Sequence, residues 1–283
     1  MATMSAGAGT TGRRGWRKAL WYAPALLITA LFAFPLVWIL MMAFKPALII
    51  QDYPPKFLFS PTLENYRRVV DSSFPAAMRN SLIVAVLSAA GSVALATLTA
   101  YGLSRHSFRK KDNLLFRILS LRMLPAIAVI VPYSRMVGWF HLQDSHLALI
   151  LVYAIFNISF SVWLLKGFFD EIPKEMEEAA KMDGYGPWKV FLKVALPLVI
   201  PGIATALVFS MIQSINEFLL AFVLTQRNAV TAPVALTNVF ITTFGVNWGG
   251  LSAASSVLVL PVVVFAILVR RHLIRGMSFG QLE

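Results

Sequence analysis

Cysteine is absent from the 283 residues, and charged residues make up only 13% of them. The absence of cysteine excludes a disulfide framework and a thiolate metal site. The scarcity of charge excludes an ordinary soluble domain, in which about 25% of the residues are charged. Because 58% of the chain is hydrophobic, with a mean hydropathy of +0.72, lipid must be the solvent for much of it. The composition therefore predicts a membrane protein.

Acidic residues are scarcer than basic ones, and the formal net charge is +12. A charge of this size is also typical of nucleic-acid-binding proteins. Here the basic residues lie between long apolar runs, as the positive-inside rule describes for membrane proteins, so we expect no nucleic-acid partner. His141 and His146 are five residues apart beside a short loop, which favours polar loop residues over a metal site.

Long apolar runs predict six transmembrane helices, because only helices and closed barrels satisfy their backbone in lipid. The first run follows basic residues, as in a signal peptide. Its 26 residues exceed the usual apolar region of about 7–15, so we interpret it as an uncleaved span. Prolines within or at the ends of the runs, including Pro125, predict kinks rather than breaks. The predicted spans are residues 19–44, 81–103, 114–133, 148–168, 198–223 and 253–269.

Lysine and arginine are distributed unevenly between the two sides of the predicted spans. Fifteen of them fall on the side of both termini and far fewer on the opposite side, which predicts that both termini are cytoplasmic. The chain is then one membrane domain, residues 19–275, between cytoplasmic tails at residues 1–18 and 276–283. Its main loops are a cytoplasmic one at residues 170–197 and outer ones at residues 45–79 and 224–251.

The cytoplasmic loop, DEIPKEMEEAAKMDGYGPWKVFLKVALP, is the most informative stretch. Acidic residues in its first turns predict a helix from about Lys174 to Met182. Gly184 can supply a sharp bend, Gly186 and Pro187 extend the turn, and a second helical segment begins at residue 188. One interpretation is a helix pair on the membrane surface. The other is a docking element whose small, apolar and acidic side chains enter a partner's groove: Ala179, Ala180, Met182, Glu177 and Glu178.

Residues 178–197 resemble the signature of the membrane subunits of ATP-binding cassette (ABC) importers, EAA-x3-G-x9-I-x-LP. Glu178-Ala179-Ala180, Gly184 and Leu196-Pro197 match it, and Val194 stands where isoleucine is usual. A longer resemblance, from about Trp21 to Arg275, is to the maltose-transporter MalG-like carbohydrate permeases. It is carried by FPLVWILMMAFKP, TAYGLSRHSFRKKD, RMLPAIAVIVPYSRMV and NEFLLAFVLT. The final GMSFGQLE departs from the small-residue, lysine-ended tail of that branch, so contacts made there by relatives are not carried over.

This resemblance implies an all-α polytopic protein with the MetI-like fold of type I ABC importer permeases, in the bacterial inner membrane. The subunit would pair with a second permease, two cytoplasmic ATPase subunits and an extracytoplasmic sugar-binding protein, and would import a disaccharide or oligosaccharide. The subunit itself would be no enzyme and would bind no cofactor, because ATP and Mg would be bound by the ATPase subunits. In agreement with this, the phosphate-binding motif GxxxxGK[ST] does not occur in the chain. The residues expected to couple to the ATPase are Glu177, Glu178, Ala179, Ala180, Met182, Asp183, Gly184, Pro187, Leu196 and Pro197.

Three polar residues within the predicted spans are candidates for the translocation pathway. Arg122 is in the third span, where arginine costs at least ~2.5–3.5 kcal/mol on insertion scales. Asn216 and Glu217 are in the outer half of the fifth span. They are candidates for the sugar pathway, because amides and carboxylates bind hydroxyl groups. The alternative is a structural bond, from Glu217 to Arg122 or to the partner permease.

The outer loop at residues 231–250 combines aromatic residues with amides and hydroxyls. Such side chains suit sugar faces or a protein interface. In MalG-like subunits a loop here reaches into the binding protein, and a plain surface loop is the alternative. The docking candidates are Asn238, Thr242, Thr243, Phe244, Asn247 and Trp248.

Other classes of function remain open. The chain would also suit an ABC importer of a non-sugar solute. An ion-coupled secondary transporter should carry ionisable residues at the membrane midplane, for which Glu217 alone is thin support. A membrane enzyme would need a catalytic constellation, and the sequence offers none.

Overall fold

Helices make up most of the chain. The computed structural model describes residues 11–107, 111–243 and 245–278, with side chains for residues 22–107, 113–243 and 245–268. Phe244, one of the predicted docking residues, and residues 279–283 of the C-terminal tail lie outside this part. The helices are α1 Thr11–Ala43, α2 Glu64–Val70, α3 Phe74–Arg105, α4 Lys111–Met123, α5 Ala126–Trp139, α6 His146–Asp170, α7 Lys174–Met182, α8 Pro187–Val190, α9 Leu196–Asn216, α10 Leu219–Leu224, α11 Ala232–Phe240 and α12 Trp248–Ser278.

The number of spans agrees with the sequence if one bent pair is counted. Within the described residues, five helical stretches are long and apolar enough to cross a membrane: Tyr22–Ala43, Phe74–Arg105, His146–Asp170, Pro187–Asn216 and Trp248–Leu268. The pair α4 and α5 makes a sixth span if the two helices are taken together. The strands in the described part are two short ones, β1 Ile241–Thr242 and β2 Gly245–Val246, which form an antiparallel hairpin in the outer loop.

The expectation that prolines kink the spans without breaking them is wrong at Pro125. There α4 ends at Met123, α5 begins at Ala126, and their axes differ by 91°. A proline restricts the residue before it to extended conformations and has no N–H to continue the helical ladder, so a break at this position is physically reasonable. The helices continue through the other span prolines, Pro24, Pro35, Pro132, Pro201 and Pro261.

The core is built around α3, which packs against α6 and α9. Four small residues at intervals of four, Ser88, Ser92, Ala96 and Ala100, are fully buried along α3. Small residues allow helix backbones to approach closely in a membrane protein. A hydroxyl contact of 3.0 Å between Ser88 and Ser214 joins α3 to α9 at this ridge.

On the predicted outer side, Asp144 fastens two loops together. Its carboxylate, in the turn between α5 and α6, accepts hydrogen bonds of 2.9–3.2 Å from the N–H groups of residues 226–229, after α10. Nearby, His146 Nε2 lies 2.9 Å from Asn80 Oδ1 and so links the start of α6 to α3. These bonds fix the outer end of the bundle.

Candidate coupling elbow and translocation cleft

The predicted bend after α7 is confirmed. Gly184 has a φ of +83°, the left-handed region that side chains with a Cβ adopt at a cost. Gly184 N–H donates to Lys181 O at 3.0 Å, and Tyr185 N–H donates to Ala180 O at 3.1 Å. This pair of bonds is the Schellman motif, which ends a helix and turns the chain. With α8 starting at Pro187, the segment forms a helical elbow, residues 174–190.

The elbow divides the predicted coupling residues between two faces. Glu177 and Ala180 are buried against the rest of the chain. The exposed face carries the other predicted residues of α7 and the turn after it, and Met182 is 88% exposed. The exposed residues of α7 and its end are Glu178, Ala179, Met182 and Asp183. Gly184 and Pro187, which follow them in the chain, are exposed as well.

Glu177 is held by two residues of α3 that the sequence analysis did not single out. Arg105 Nε donates to Glu177 Oε1 at 2.6 Å, and the Tyr101 hydroxyl donates to Glu177 Oε2 at 2.9 Å. Arg105 also donates to the Ile172 carbonyl at 3.2 Å. Tyr101 and Arg105 are four residues apart at the predicted cytoplasmic end of an apolar span, so they share a helical face. That spacing is the signal that could have marked them.

A π-helical turn at residues 191–195 joins the elbow to α9. Leu196 N–H donates to Phe191 O, five residues back. Pro197 follows at once; it has no N–H for the carbonyl four residues before it, and its ring crowds that carbonyl. Leu196 and Pro197 of the signature therefore mark the point where the elbow becomes the fifth span.

Arg122 and Glu217 line the same cleft, which has a volume of about 200 Å³. Arg122 is near the end of α4, and Glu217 lies in the short break between α9 and α10. The remaining lining mixes polar and aromatic side chains with aliphatic ones: Leu124, Ala126, Tyr153, Phe156, Asn157, Gln213, Ser214 and Leu220.

No ion pair joins Arg122 to Glu217 among the described side chains. The Arg122 guanidinium lies 5.3 Å from the Phe160 ring centroid. Glu217 Oε1 accepts from Leu220 N–H at 3.0 Å and so caps α10. The Asn216 amide donates to Ile212 O of its own helix, and Asn216 does not line the cleft. Of the three predicted pathway residues, the structure brings two together.

Gln213 of the cleft was missed by the sequence analysis. It is exposed in the chain, and no hydrogen bond involves its side chain among the described residues. Its signal is weak: it lies four residues before Glu217, a spacing that puts two residues on the same face of a continuous helix.

The outer loop is more ordered than a plain loop. It contains α11, whose Phe240 is buried, and then the hairpin β1–β2. The predicted docking residues Asn238, Thr242 and Thr243 are exposed. Asn247 Oδ1 accepts from Gly250 N–H at 3.0 Å, and Trp248, 46% exposed, is the first residue of α12.

The sequence of the chain matches a family model over residues 92–279, and this family is described as the binding-protein-dependent transport system inner membrane component. The chain belongs to this family. Its members are transport subunits of the membrane, which accords with the helices that could span it.

Two relatives that match nearly the whole chain are named as sugar permeases. The trehalose transport system permease protein SugB of Mycobacterium tuberculosis is 32% identical over 94% of this chain and 98% of its own length. The trehalose/maltose transport system permease protein MalG of Thermococcus litoralis is 30% identical over 94% of this chain and 97% of its own length. The resemblance to the MalG-like branch is thus confirmed.

A solved structure confirms the fold. A chain of a bacterial ABC transporter involved in the import of the acidic polysaccharide alginate superposes with a TM-score of 0.74, over 94% of this chain and 99% of that one. The two sequences are only 21% identical. The chain therefore has the all-α, MetI-like fold of ABC importer permeases.

Proposed function

We propose that the chain is a transmembrane permease subunit of an ABC importer that carries a disaccharide or oligosaccharide into the cell. The observation that carries this proposal is the elbow: a helix with an exposed acidic and small-residue face, ended by Gly184 in the left-handed region. The trehalose and maltose named for its relatives support the class of solute. A second permease subunit would complete the pathway.

The exposed face of the elbow would dock into a cleft of one cytoplasmic ATPase subunit. Small residues such as Ala179 allow close approach, and Glu178 would pair with a basic residue of the ATPase. Two ATPase subunits, which bind ATP and Mg, would supply the closing motion. The elbow is fastened to α3 through Glu177 and Arg105 and runs on into α9, so a displacement of the elbow would move both spans.

The opposite side of the chain would meet the sugar-binding protein. The hairpin and its neighbours carry Asn238, Thr242, Thr243 and Trp248 on an exposed surface, and exposed aromatic residues of this kind suit a protein interface. This arrangement requires both termini in the cytoplasm, as the lysine and arginine count predicts.

The test is uptake by the assembled system. The chain, its partner permease and the ATPase subunits are placed in proteoliposomes with binding protein loaded with trehalose or maltose. We expect uptake to require ATP and to continue when an uncoupler collapses ion gradients. Uptake that the uncoupler stops while ATP is present would instead indicate an ion-coupled secondary transporter.

A further inference from the structure

Two of the apolar spans are interrupted, and both interruptions meet at the cleft described above. One lies between Met123 and Ala126, where α4 and α5 diverge by 91°, and the other between Asn216 and Leu219. Leu124 and Glu217, which belong to the two breaks, line the same space. Non-helical backbone at membrane depth is tolerated only where it is buried in protein or lines a water-filled cavity. Interrupted spans that meet in this way also build the solute sites of other membrane transporters.

The polar side chains of the cleft are available for a ligand. Arg122 and Gln213 are exposed in the chain and have no hydrogen-bond partner among the described residues. A charged or amide group within an apolar span is costly against lipid, so both must face water, a polar solute or protein. Asn157 Nδ2 donates to Ser214 Oγ at 2.9 Å, which leaves its amide oxygen for a ligand.

The charges of the cleft favour a neutral solute. Arg122 contributes one positive charge and Glu217 one negative charge. An acidic solute would be drawn to Arg122 but repelled by Glu217, and both effects are strong where little water screens them. A polyhydroxylated neutral molecule satisfies both residues, because its hydroxyl groups donate to the carboxylate and accept from the guanidinium. The ring of Phe156, which is half-buried, offers apolar surface for the face of a sugar ring.

We infer that this subunit itself binds a neutral saccharide in this cleft, with Arg122, Gln213 and Glu217 contacting its hydroxyl groups. The inference rests on the proposed carbohydrate transport and goes beyond it, since an importer of that kind works equally well if the second permease holds every contact with the sugar.

The deciding variant is Gln213→Ala in the complete complex, with trehalose and maltose as probes. Losing one amide contact to a hydroxyl should lower uptake about three- to tenfold. Uptake should fall more than the ATP hydrolysis that the loaded binding protein stimulates, because the proposed docking surface for that protein is the outer loop and not the cleft. Gln143→Ala is the matched control: Gln143 is exposed in the turn between α5 and α6, away from the cleft, and uptake should not change.

Arg122 gives a second, independent measurement. Arg122→Gln removes the charge and should lower uptake about ten- to a hundredfold, whereas Arg122→Lys, which keeps a charged donor, should recover part of it. Binding protein loaded with a uronate oligosaccharide should support little uptake in the wild type and more in Glu217→Gln, where the repulsion is removed.

The outcomes separate this inference from the proposed function. Wild-type uptake in Gln213→Ala would overturn the saccharide site and leave the importer assignment intact. A parallel loss of uptake and stimulated ATP hydrolysis would also overturn it, because that pattern marks a coupling or assembly defect. Failure of the wild-type complex to import any neutral saccharide would instead refute the proposed function itself.

Discussion

Arg105 Nε and Glu177 Oε1 lie 2.6 Å apart in a buried ion pair that joins the end of α3 to α7. Their side chains are only 9% and 4% exposed. The next residue, Glu178, points away from this pair and is exposed. Two adjacent glutamates therefore have different tasks: Glu177 holds the elbow against the bundle, and Glu178 faces outward.

Substitution of Glu177 should cost stability. Glu177→Gln leaves the Arg105 guanidinium buried without its counter-charge, and breaking one side of a buried pair costs about 3–5 kcal/mol. Glu178→Gln, on the exposed face, should change the free energy of unfolding by less than about 0.5 kcal/mol. Thermal unfolding of the purified variants checks this, and equal melting temperatures would contradict it.

The reverse pattern is expected for coupling. Glu178→Lys reverses a charge that we expect to meet a basic residue of the ATPase, so uptake should be lost while the melting temperature of the subunit stays near wild type. Wild-type uptake in Glu178→Lys, with normal co-purification of the ATPase, would refute the docking role of the exposed face.

The buried pair has its own double variant. An exchange of Arg105 and Glu177 should recover part of the stability that is lost in Glu177→Gln.

Gly184 should tolerate no side chain, whereas Gly186 should. Gly184→Val forces a β-branched residue to a φ of +83°, which costs on the order of 1–3 kcal/mol and distorts the elbow. Gly186 has a φ of −69° and open space where a Cβ would lie, so Gly186→Val is the matched control. We expect Gly184→Val to insert in the membrane but to abolish ATP-coupled uptake. Similar uptake by both variants would show that coupling does not depend on a glycine at position 184.

Asp144 should give the outer loops a pH-dependent stability. Burial alone would raise its pKa, but the N–H groups of residues 226–229 stabilise the carboxylate, and the pKa of Asp144 is lowered from its ordinary 3.8. Because the folded pKa is the lower one, this stabilisation is complete above the ordinary value and is lost as the pH falls through the folded value.

Asp144→Asn should therefore lower the free energy of unfolding by about 1–3 kcal/mol at neutral pH. The difference from wild type should narrow as unfolding is measured from about pH 7 down to about pH 3. Asp71→Asn is the control, since Asp71 is exposed and makes no side-chain hydrogen bond within the described part of the chain. A difference that stays constant with pH would show that the carboxylate charge is not the cause.

The outer hairpin should affect stimulation rather than assembly. Shortening the chain across residues 242–246 removes the hairpin but leaves α11 and its buried Phe240 in place. If the hairpin docks the binding protein, basal ATP hydrolysis should persist, and stimulation by loaded binding protein should fall. A loop that only caps the bundle predicts a destabilised complex with unchanged stimulation per assembled complex.

Reporter fusions test the orientation. Fusions after Lys111 and after Lys189 should report a cytoplasmic location, and fusions near Glu64 and Asn238 an extracytoplasmic one. The opposite pattern would place the elbow away from the cytoplasmic ATPase and refute ATP-driven coupling through it.

Local chemistry explains which parts could be predicted from the sequence. The start of α7 at Lys174 follows a proline and has acidic residues in its first turn, and its end at Met182 and the bend at Gly184 depend on backbone bonds within about six residues, so the sequence was sufficient. The charged residues of the cleft were found because a charge in an apolar span is costly wherever it points.

Tertiary packing explains the rest. Pro125 and Pro132 lie in the same apolar run, yet the chain breaks at one and continues through the other. Whether neighbouring groups satisfy the freed backbone cannot be read from the run itself. The burial of Glu177 likewise depends on Arg105, which is 72 residues away in the chain. Asn216, the neighbour of Glu217 in the sequence, was predicted in place of Gln213, because the sequence does not fix which amide of α9 faces the cleft.

The π turn before α9 sets the rotational phase between the elbow and the fifth span. Val190 and Ala195 are five residues apart and both fully buried, although an unbroken α-helix would turn them about 140° away from each other. The turn absorbs one extra residue and brings both to the same side. Deleting a single residue there would restore a regular helix and swing the elbow by about 100° relative to the span. In the proposed importer, the direction in which an ATPase would push the fifth span is thus fixed by one residue of chain length.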